Sequence, residues 1–400
     1  MNVLVIDEDF PYPPNTGKRL RTYNLLSRLQ DDHLIHYVYH GEDQVFPNCP
    51  NIRCHPVDKA FTDKSGLRFY MELLWNLASP KPYLVSRHHS PGMIQRIGEI
   101  VERERIDLVH CEWTPYTENI RSLLGHFPTV LSTHNVESQI WGRYFDTERN
   151  PLKKAYIYPQ WKKMAAYERE VTGRYDQVVC VSENDADFFR RYTAPERVTV
   201  VPNGVDETFF KPGGEEPALG NIVFTGSMDW RPNQDAVSHF VEEIFPLIRE
   251  QEPNAEFYVV GRCPPDRLRA QWEQVPGVVV TGTVDDVRGY IDAASVYVVP
   301  LRIGGGSRLK ILEALAMAKV VVSTRVGAEG LDLDDGKHLL LRDDPREFAR
   351  AVTDVLRAGG EYAGLARTGR EKVLGSYGWD AIARTLDTAW SAAVEHARAG

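Results

Sequence analysis

Three side chains of complementary chemistry recur at helical spacing in the run Gly304-Gly-Gly-Ser-Arg-Leu-Lys-Ile-Leu-Glu313: the Ser307 hydroxyl, the Lys310 ammonium and the Glu313 carboxylate, with Met317 one turn further on. The apolar run Ser295-Val-Tyr-Val-Val-Pro300 precedes them, so a buried strand feeds a glycine-rich turn. Ser307 then stands where an N-cap belongs, and a helix continues to Ala318. Gly305 and Gly306 lack a Cβ, which lets the backbone come close to a ligand, and the open N–H groups of a helix start attract anions. The other side of that helix, Leu309, Leu312, Leu315 and Ala316, is apolar and faces a core. A hydroxyl, a cation and a carboxylate in this order suit a diphosphate with a ribose beyond it, the handle of a nucleotide-sugar. The same spacing would also serve a solvated Lys310–Glu313 pair behind a plain serine cap.

The elements that must position these groups alternate along the whole chain. Short Val/Ile/Leu-rich runs alternate with helical patterns, the signature of β-α-β units around parallel sheets. Strands are expected at Val3–Ile6, Leu34–Tyr39, Asp107–His110, Thr129–Ser132, Gln177–Val181 and Val198–Val201 in the first half. In the second they are expected at Ile222–Thr225, Glu256–Val260, Val278–Val280, Val296–Val299, Val320–Ser323 and Leu339–Leu341. The segment from Lys211 to Pro217 has no apolar periodicity and four Pro/Gly residues in seven, so it divides the halves. The division expected is an α/β domain over 1–206, a linker over 207–219, a second α/β domain over 220–375 and a C-terminal helix over 376–400 packing across the junction. Two doubly wound domains would place a ligand outside the carboxyl ends of their strands.

Bulk properties exclude several classes. With 400 residues, 42% of them hydrophobic and 26% charged, the chain suits two soluble globular domains. A net charge of −9 argues against general nucleic-acid binding. No apolar stretch approaches the roughly 20 residues that span a bilayer, and the acidic start Met1-Asn-Val-Leu-Val-Ile-Asp-Glu-Asp9 is expected to be a first strand rather than a signal peptide. Five scattered cysteines fit a reducing cytoplasm. Neither half has a G-x-G-x-x-G after its first strand or a Walker-type loop, which disfavours a nicotinamide dehydrogenase and a P-loop NTPase. No Asp-x-Asp pair is recognised at a strand end to hold a divalent cation.

Several fragments then line up in order: Pro13-Pro-Asn-Thr-Gly-Lys-Arg-Leu-Arg21, Ser132-Thr-His-Asn135, Val201-Pro-Asn-Gly-Val-Asp206, Phe224-Thr-Gly-Ser-Met-Asp229, Thr281-Gly-Thr-Val284 and Gly304-Gly-Gly-Ser-Arg-Leu-Lys-Ile-Leu-Glu-Ala-Leu315. Together they resemble glycosyltransferase family 4, the retaining nucleotide-sugar transferases of GT-B architecture, over essentially the whole chain. The resemblance implies two Rossmann-like domains, the second binding a UDP- or GDP-sugar and the first a glycan, lipid-linked or small-molecule acceptor. It implies polysaccharide-type chemistry in the cytoplasm, retention by front-face attack and no metal cofactor. It makes Glu313 the second acid of the family's E-x7-E motif, holding the ribose, while the first acid's position is taken by Gly305. It places Gly226 against the donor, and Gly17 against the diphosphate and sugar. His134 becomes the histidine near the donor sugar. The family often has an arginine directly after the glycine matched by Gly226 and a lysine further along; here Ser227 and the stretch Arg231-Pro-Asn233 stand there.

Those departures move the cationic work to Arg308 and Lys310, with Arg231 as a third donor. A helix terminus alone contributes about 1–2 kcal/mol to diphosphate binding, against about 8 kcal/mol for micromolar affinity. The base would be read largely by backbone near Arg262 and Val284. Glu112 and Glu137 are candidate acceptor contacts, and His88 and His89 are read as loop residues. Lys18, Arg19 and Arg21 sit in the first turn of a helix, where cations oppose the macrodipole, so they are expected either to meet an anionic ligand or to be solvated. The aromatic and basic stretches Phe61 to His89 and Tyr156 to Arg169 can rest on an anionic membrane or pack on the domain with their lysines in water. Two other functions share this architecture: a sugar-nucleotide 2-epimerase, and a non-catalytic nucleotide-sugar binding protein suggested by Gly305.

Overall fold

The computed structural model describes residues 1–14, 16–58, 66–214, 220–303 and 309–399. The chain folds into two compact units. The first is Met1–Pro202 together with the segment from Asp380 onward, and the second is Asn203–Trp379.

The first unit is built on a seven-stranded sheet of β1 (Asn2–Asp9), β2 (Leu34–His40), β3 (Ile52–Val57), β4 (Leu108–Cys111), β5 (Thr129–Thr133), β6 (Gln177–Cys180) and β7 (Val198–Val200). Its order is β3-β2-β1-β4-β5-β6-β7. Neighbouring strands are parallel throughout, with Val3 facing Ile35 on one side and Leu108 on the other. Helices cover both faces, which is why β1, β4, β5 and β6 read as continuous apolar runs rather than alternating ones. The expected strands recur within a residue or two at each end, except that β1 runs three residues past its expected end at Ile6 to Asp9. One strand was not expected: β3 carries Arg53, His55 and Pro56 and lacks an apolar run. A strand with so weak a pattern, and with a proline that cannot donate to a ladder, is tolerated because it lies at the sheet edge.

The second unit repeats the plan with six strands: β8 (Asn221–Thr225), β9 (Glu256–Val260), β10 (Val278–Gly282), β11 (Val296–Val299), β12 (Val321–Ser323) and β13 (Leu340–Leu341). All pairs are parallel, in the order β10-β9-β8-β11-β12-β13. In each sheet the chain starts in the middle, winds outward one way, then returns to wind the other way. The reversal falls between β1 and β4 in the first unit and between β8 and β11 in the second. Part of the stretch expected as a linker is second-unit core instead: Phe210 is buried there, and the Gly213 N–H donates to Asp292 Oδ1 at 3.1 Å.

The helices that carry or brace the candidate functional residues are α1 (Gly17–Leu29), α2 (Gly66–Ala78), α3 (Glu137–Thr147), α4 (Pro151–Thr172), α5 (Arg231–His239) and α6 (Leu309–Ala316). One more, α7 (Trp379–Ala399), returns to the first unit. There Arg28 meets Asp380 at 2.5 Å, His33 meets Asp387 at 2.8 Å, and Trp390 is fully buried. Within the second unit its incoming and outgoing ends lie side by side. The Val205 N–H donates to Tyr377 O at 2.9 Å, and a Cβ on Gly204 would lie 2.6 Å from the Trp379 ring and 2.9 Å from Tyr377 O. Backbone oxygen cannot step aside as a flexible side chain can. Gly204→Ala is therefore expected to destabilise the protein by about 1–3 kcal/mol, seen as a lowered melting temperature; an unchanged transition would show that the junction is looser than its geometry.

Candidate active site

In the second unit the residues at the strand-order reversal are pressed together by two glycines. Gly226 follows β8 and Gly261 follows β9; the Gly226 N–H donates to Val260 O at 2.9 Å, and a Cβ on Gly261 would lie 1.8 Å from Gly226 O. A Cβ on Gly226 would come within 2.8 Å of Lys310 Nζ. Glycine at this point therefore makes room for an ammonium against the backbone. Lys310 reaches the spot from the first turn of α6, donates to Asn233 Oδ1 at 2.9 Å and sits 4.0 Å over the Phe224 ring. The Asn233 amide donates in turn to Ser227 O at 2.8 Å, so its orientation is set from both ends.

Glu313 lies one turn beyond Lys310 and is half-buried. Its carboxylate makes no hydrogen bond among the described residues, and burial pushes its pKa up to about 7 against the pull of Lys310. Its charge is felt by the buried Tyr297 hydroxyl, which bonds Thr225 Oγ1 at 2.5 Å. Met317, expected on the same stripe, is buried in the core, because the helix face turns inward there and a thioether packs with the leucines. Ser227 stands where the resemblance would put an arginine and is tied to Arg262, whose Nε donates to Ser227 Oγ at 2.7 Å; that hydroxyl donates to Asp229 at 2.6 Å. Arg231 opens α5 and is exposed, and Val284 packs half-buried on the second core. Gly305, Gly306, Ser307 and Arg308 lie outside the described residues. Just before them Arg302 grips Asp235 of α5 with two bonds of 2.8 and 3.1 Å, anchoring the strand exit.

In the first unit, Gly17 is the first residue of α1 behind the Thr16 cap. The cations after it neither stand in water nor face an open anion site. Lys18 meets Asp7 at 2.5 Å and Glu8 at 3.4 Å, and Arg19 meets Asp9 at 3.1 Å. Arg21 is buried and donates to Pro202 O at 2.7 Å, burial drawing its pKa down to about 10. Asp7-Glu8-Asp9 is an Asp-x-Asp at the end of β1 that went unrecognised in the sequence, and its carboxylates supply the counter-charge that these helix-start cations require. Burial works against the charge on Lys18, but Asp7 and Glu8 override it and hold the ammonium above the ordinary lysine range.

Glu112 and His134 follow β4 and β5, on the far side of the same reversal. Glu112 is fully buried, with Oε1 3.1 Å from His110 Nε2 and Oε2 3.2 Å from His134 Nε2. Burial would raise its pKa, yet the two imidazoles hold it well below the usual carboxylate range. Glu137 is also buried and accepts from the Trp113 indole at 2.8 Å. Its pKa is pushed up to about 7 by burial, as is that of Glu168, whose carboxylate caps α3 by accepting from the Glu137 and Ser138 N–H groups at 2.7 and 3.0 Å. His88, read as a loop residue, is buried at the end of a short helix, its Nδ1 2.6 Å from Leu84 O. Asn233, Tyr297, Glu168 and His110 were not singled out from sequence. Of these only His110 had a legible signal, the His-x-Glu pattern leaving β4.

Residues 20–209 match the model for Glycosyltransferase Family 4, and residues 220–358 match that for Glycosyl transferases group 1. The chain is 20% identical over 370 residues to an uncharacterized 44.6 kDa protein in the cps region of Klebsiella pneumoniae, covering 88% of this chain and 89% of that one. Its fold is similar to that of sucrose-phosphate synthase from Thermosynechococcus elongatus, with a TM-score of 0.74, 17% identity and 97% and 98% of the two chains covered. It is also similar to Anabaena HepE, solved in complex with UDP and glucose, with a TM-score of 0.67, 14% identity and 98% and 99% covered. Two doubly wound parallel sheets, matched in this order by the two family domains, place the chain among the family 4 glycosyltransferases of GT-B architecture.

Proposed function

We propose that the chain is a retaining, metal-independent transferase moving a hexose from a UDP- or GDP-sugar to a hydroxyl of a glycan or lipid-linked glycan. The observation that carries this reading is Lys310, whose ammonium is held against Gly226 at the carboxyl end of β8 with Glu313 one turn beyond. A fixed cation at a glycine backbone suits a diphosphate, and a half-buried carboxylate without a donor suits ribose hydroxyls. HepE, which shares the fold, was solved with UDP, and this supports a nucleotide ligand for this chain. In this reading Arg308 and Arg231 would add positive charge for the leaving diphosphate, Arg262 and Val284 would meet the base, and His134 of the first unit would meet a sugar hydroxyl. Glu137 remains the acceptor-side carboxylate; Glu112 is taken up by its two histidines.

Each charge-assisted hydrogen bond from ribose to Glu313 contributes about 1.5–3 kcal/mol. Glu313→Ala should weaken UDP or GDP binding at least tenfold in calorimetry while the melting transition stays cooperative. The pH dependence has a defined sign. The carboxylate form accepts the ribose hydroxyls, and the free protein holds the group at a pKa of about 7. The ionised fraction thus rises from about one tenth at pH 6 to about nine tenths at pH 8. Affinity should rise by up to about tenfold over that range relative to Glu313→Gln, which removes the nucleotide's own titration from the comparison. Equal pH profiles for the two proteins would remove Glu313 from the ribose site. Turnover of the donor that most stabilises the protein among UDP-glucose, UDP-N-acetylglucosamine and GDP-mannose should persist in excess EDTA. Loss of turnover restored by Mg²⁺ or Mn²⁺ would overturn metal independence.

The first unit also carries a surface suited to an anionic bilayer, where a lipid-linked acceptor would reside. On α2, Leu67, Tyr70, Met71, Leu74 and Trp75 share one face, and all five are exposed, Leu67 and Trp75 by about three quarters. The opposite face is docked through Asn76, which accepts from Gln160 of α4 at 2.9 Å. Lys163 donates to the Asn76 and Leu77 carbonyls, and along α4 Lys154 and Lys162 lie 4.5 and 4.4 Å over the Phe145 and Trp161 rings. Apolar side chains beside lysines complement an anionic lipid surface locally, against the chain's net charge of −9. No helix among the described residues is long and apolar enough to cross a membrane. The protein should co-sediment with phosphatidylglycerol vesicles and much less with phosphatidylcholine, and Leu74→Glu with Trp75→Glu should cut binding at least tenfold; equal recovery with both lipids would overturn the surface assignment.

A further inference from the structure

Behind His134 lies a buried chain of polar contacts that ends on the last helix. The Trp390 indole N–H, fully buried on α7, donates to His110 Nδ1 at 2.9 Å. An indole N–H can only donate. His110 Nδ1 therefore carries no proton, and the ring's single proton sits on Nε2, 3.1 Å from Glu112 Oε1. The second carboxylate oxygen, Oε2, lies 3.2 Å from His134 Nε2. Both of those atoms are sealed from solvent and neither forms a hydrogen bond among the described residues, so the 3.2 Å approach is a close polar contact between two otherwise unpartnered atoms. Two lone pairs at this distance would repel, so the approach is attractive only with a proton on His134 Nε2, which a small ring rotation would direct at Glu112. Of the His134 side chain 13% remains accessible, and with Nε2 sealed that surface belongs to the rest of the ring.

We infer that Trp390, His110 and Glu112 form a tautomer-setting relay, in which Trp390 and His110 are positioning residues acting through Glu112 to present His134 Nδ1 as an acceptor for a ligand hydroxyl. The inference rests on the reading of His134 as a sugar-contacting residue. The logic parallels the carboxylate that holds a catalytic imidazole in its working tautomer, where exchanging the acid for its amide leaves the geometry intact and inverts the donor pattern. Here the exchange is Glu112→Gln. Its amide oxygen would take the His110 Nε2–H, and its NH₂ would face His134 Nε2, forcing the His134 proton onto Nδ1.

Two readouts separate the relay from the functional reading. The first is ¹⁵N-histidine NMR of the full-length protein, with signals assigned from single His→Gln variants. The wild type should show both His110 and His134 protonated at Nε2, and Glu112→Gln should move His134 to the Nδ1–H form. The second is nucleotide release from UDP-glucose and GDP-mannose with water as acceptor. Glu112→Gln should lower kcat at least 100-fold while UDP and GDP affinities stay within threefold. His110→Gln, whose amide can accept from Trp390 and donate to Glu112, should keep turnover within tenfold of wild type, whereas His110→Leu should not. Trp390→Phe keeps the ring packing, so it should fold and give His110 a mixture of tautomers, which keeps the idea testable if the Glu112 variant fails to fold. A wild-type His134 protonated at Nδ1, or an activity loss in Glu112→Gln with the His134 tautomer unmoved, overturns the relay. A flipped tautomer with undiminished turnover overturns the role given to His134, and with it the positioning function.

Discussion

Both units depend on one constraint, the parallel sheet. Parallel strands need crossovers, and right-handed crossovers bring every strand's carboxyl end to the same edge. When the winding direction reverses, two neighbouring strands send their chains away to opposite faces and leave a gap between their ends. In the second unit that gap lies between β8 and β11, and Gly226, Lys310, Asn233 and Glu313 gather around it. In the first it lies between β1 and β4, where Asp7, Lys18, Glu112 and His134 converge. The chemistry thus sits where the backbone leaves space, and the apolar strands hold it there.

Placing charge in such gaps is costly, and the two units meet the cost differently. The first meets its charges largely internally: Lys18 spans Asp7 and Glu8, Arg19 holds Asp9, and Glu112 accepts from His110 and lies 3.2 Å from His134. An enclosed carboxylate is tolerable when it is fully hydrogen-bonded and expensive when it is half-bonded. The second unit leaves more open. Lys310 is held by Asn233 and by an aromatic face, but Glu313 makes no hydrogen bond among the described residues and is kept partly out of water with its pKa raised to about 7. A group kept short of partners in the free protein is one that a ligand can stabilise on arrival, and this asymmetry is the physical basis for placing the nucleotide in the second unit.

Much of this was legible from sequence because parallel strands buried on both faces leave unbroken apolar runs, and because helix periodicity puts Lys310 and Glu313 on one stripe. What stayed hidden shares a cause: contacts between residues distant in sequence. The edge strand β3 has no apolar signature because one of its sides has no neighbour. The cations of α1 read as solvated or ligand-seeking because their partners belong to the preceding strand, brought alongside only when the β1–α1 turn closes. Met317 read as part of the polar stripe because spacing describes a helix face and not the core that the face rotates into. Asn233 closed the stretch Arg231-Pro-Asn233 with no role of its own, and its importance comes from lying between Ser227 O and an ammonium that arrives from 77 residues further along the chain.

A contact of still greater span, between His110 and Trp390, joins residues 280 apart and ties the returning chain into its first unit. Without α7, the buried His110 would be left with its Nδ1 bare. Trp390 supplies the donor that His110 lacks, and His33 and Arg28 fasten the same helix through Asp387 and Asp380. A buried polar chain is stable only when its last member is in place. The donor pattern at His134 is therefore completed by the final helix, so the C-terminal segment acts as part of the first unit's chemistry as well as its packing.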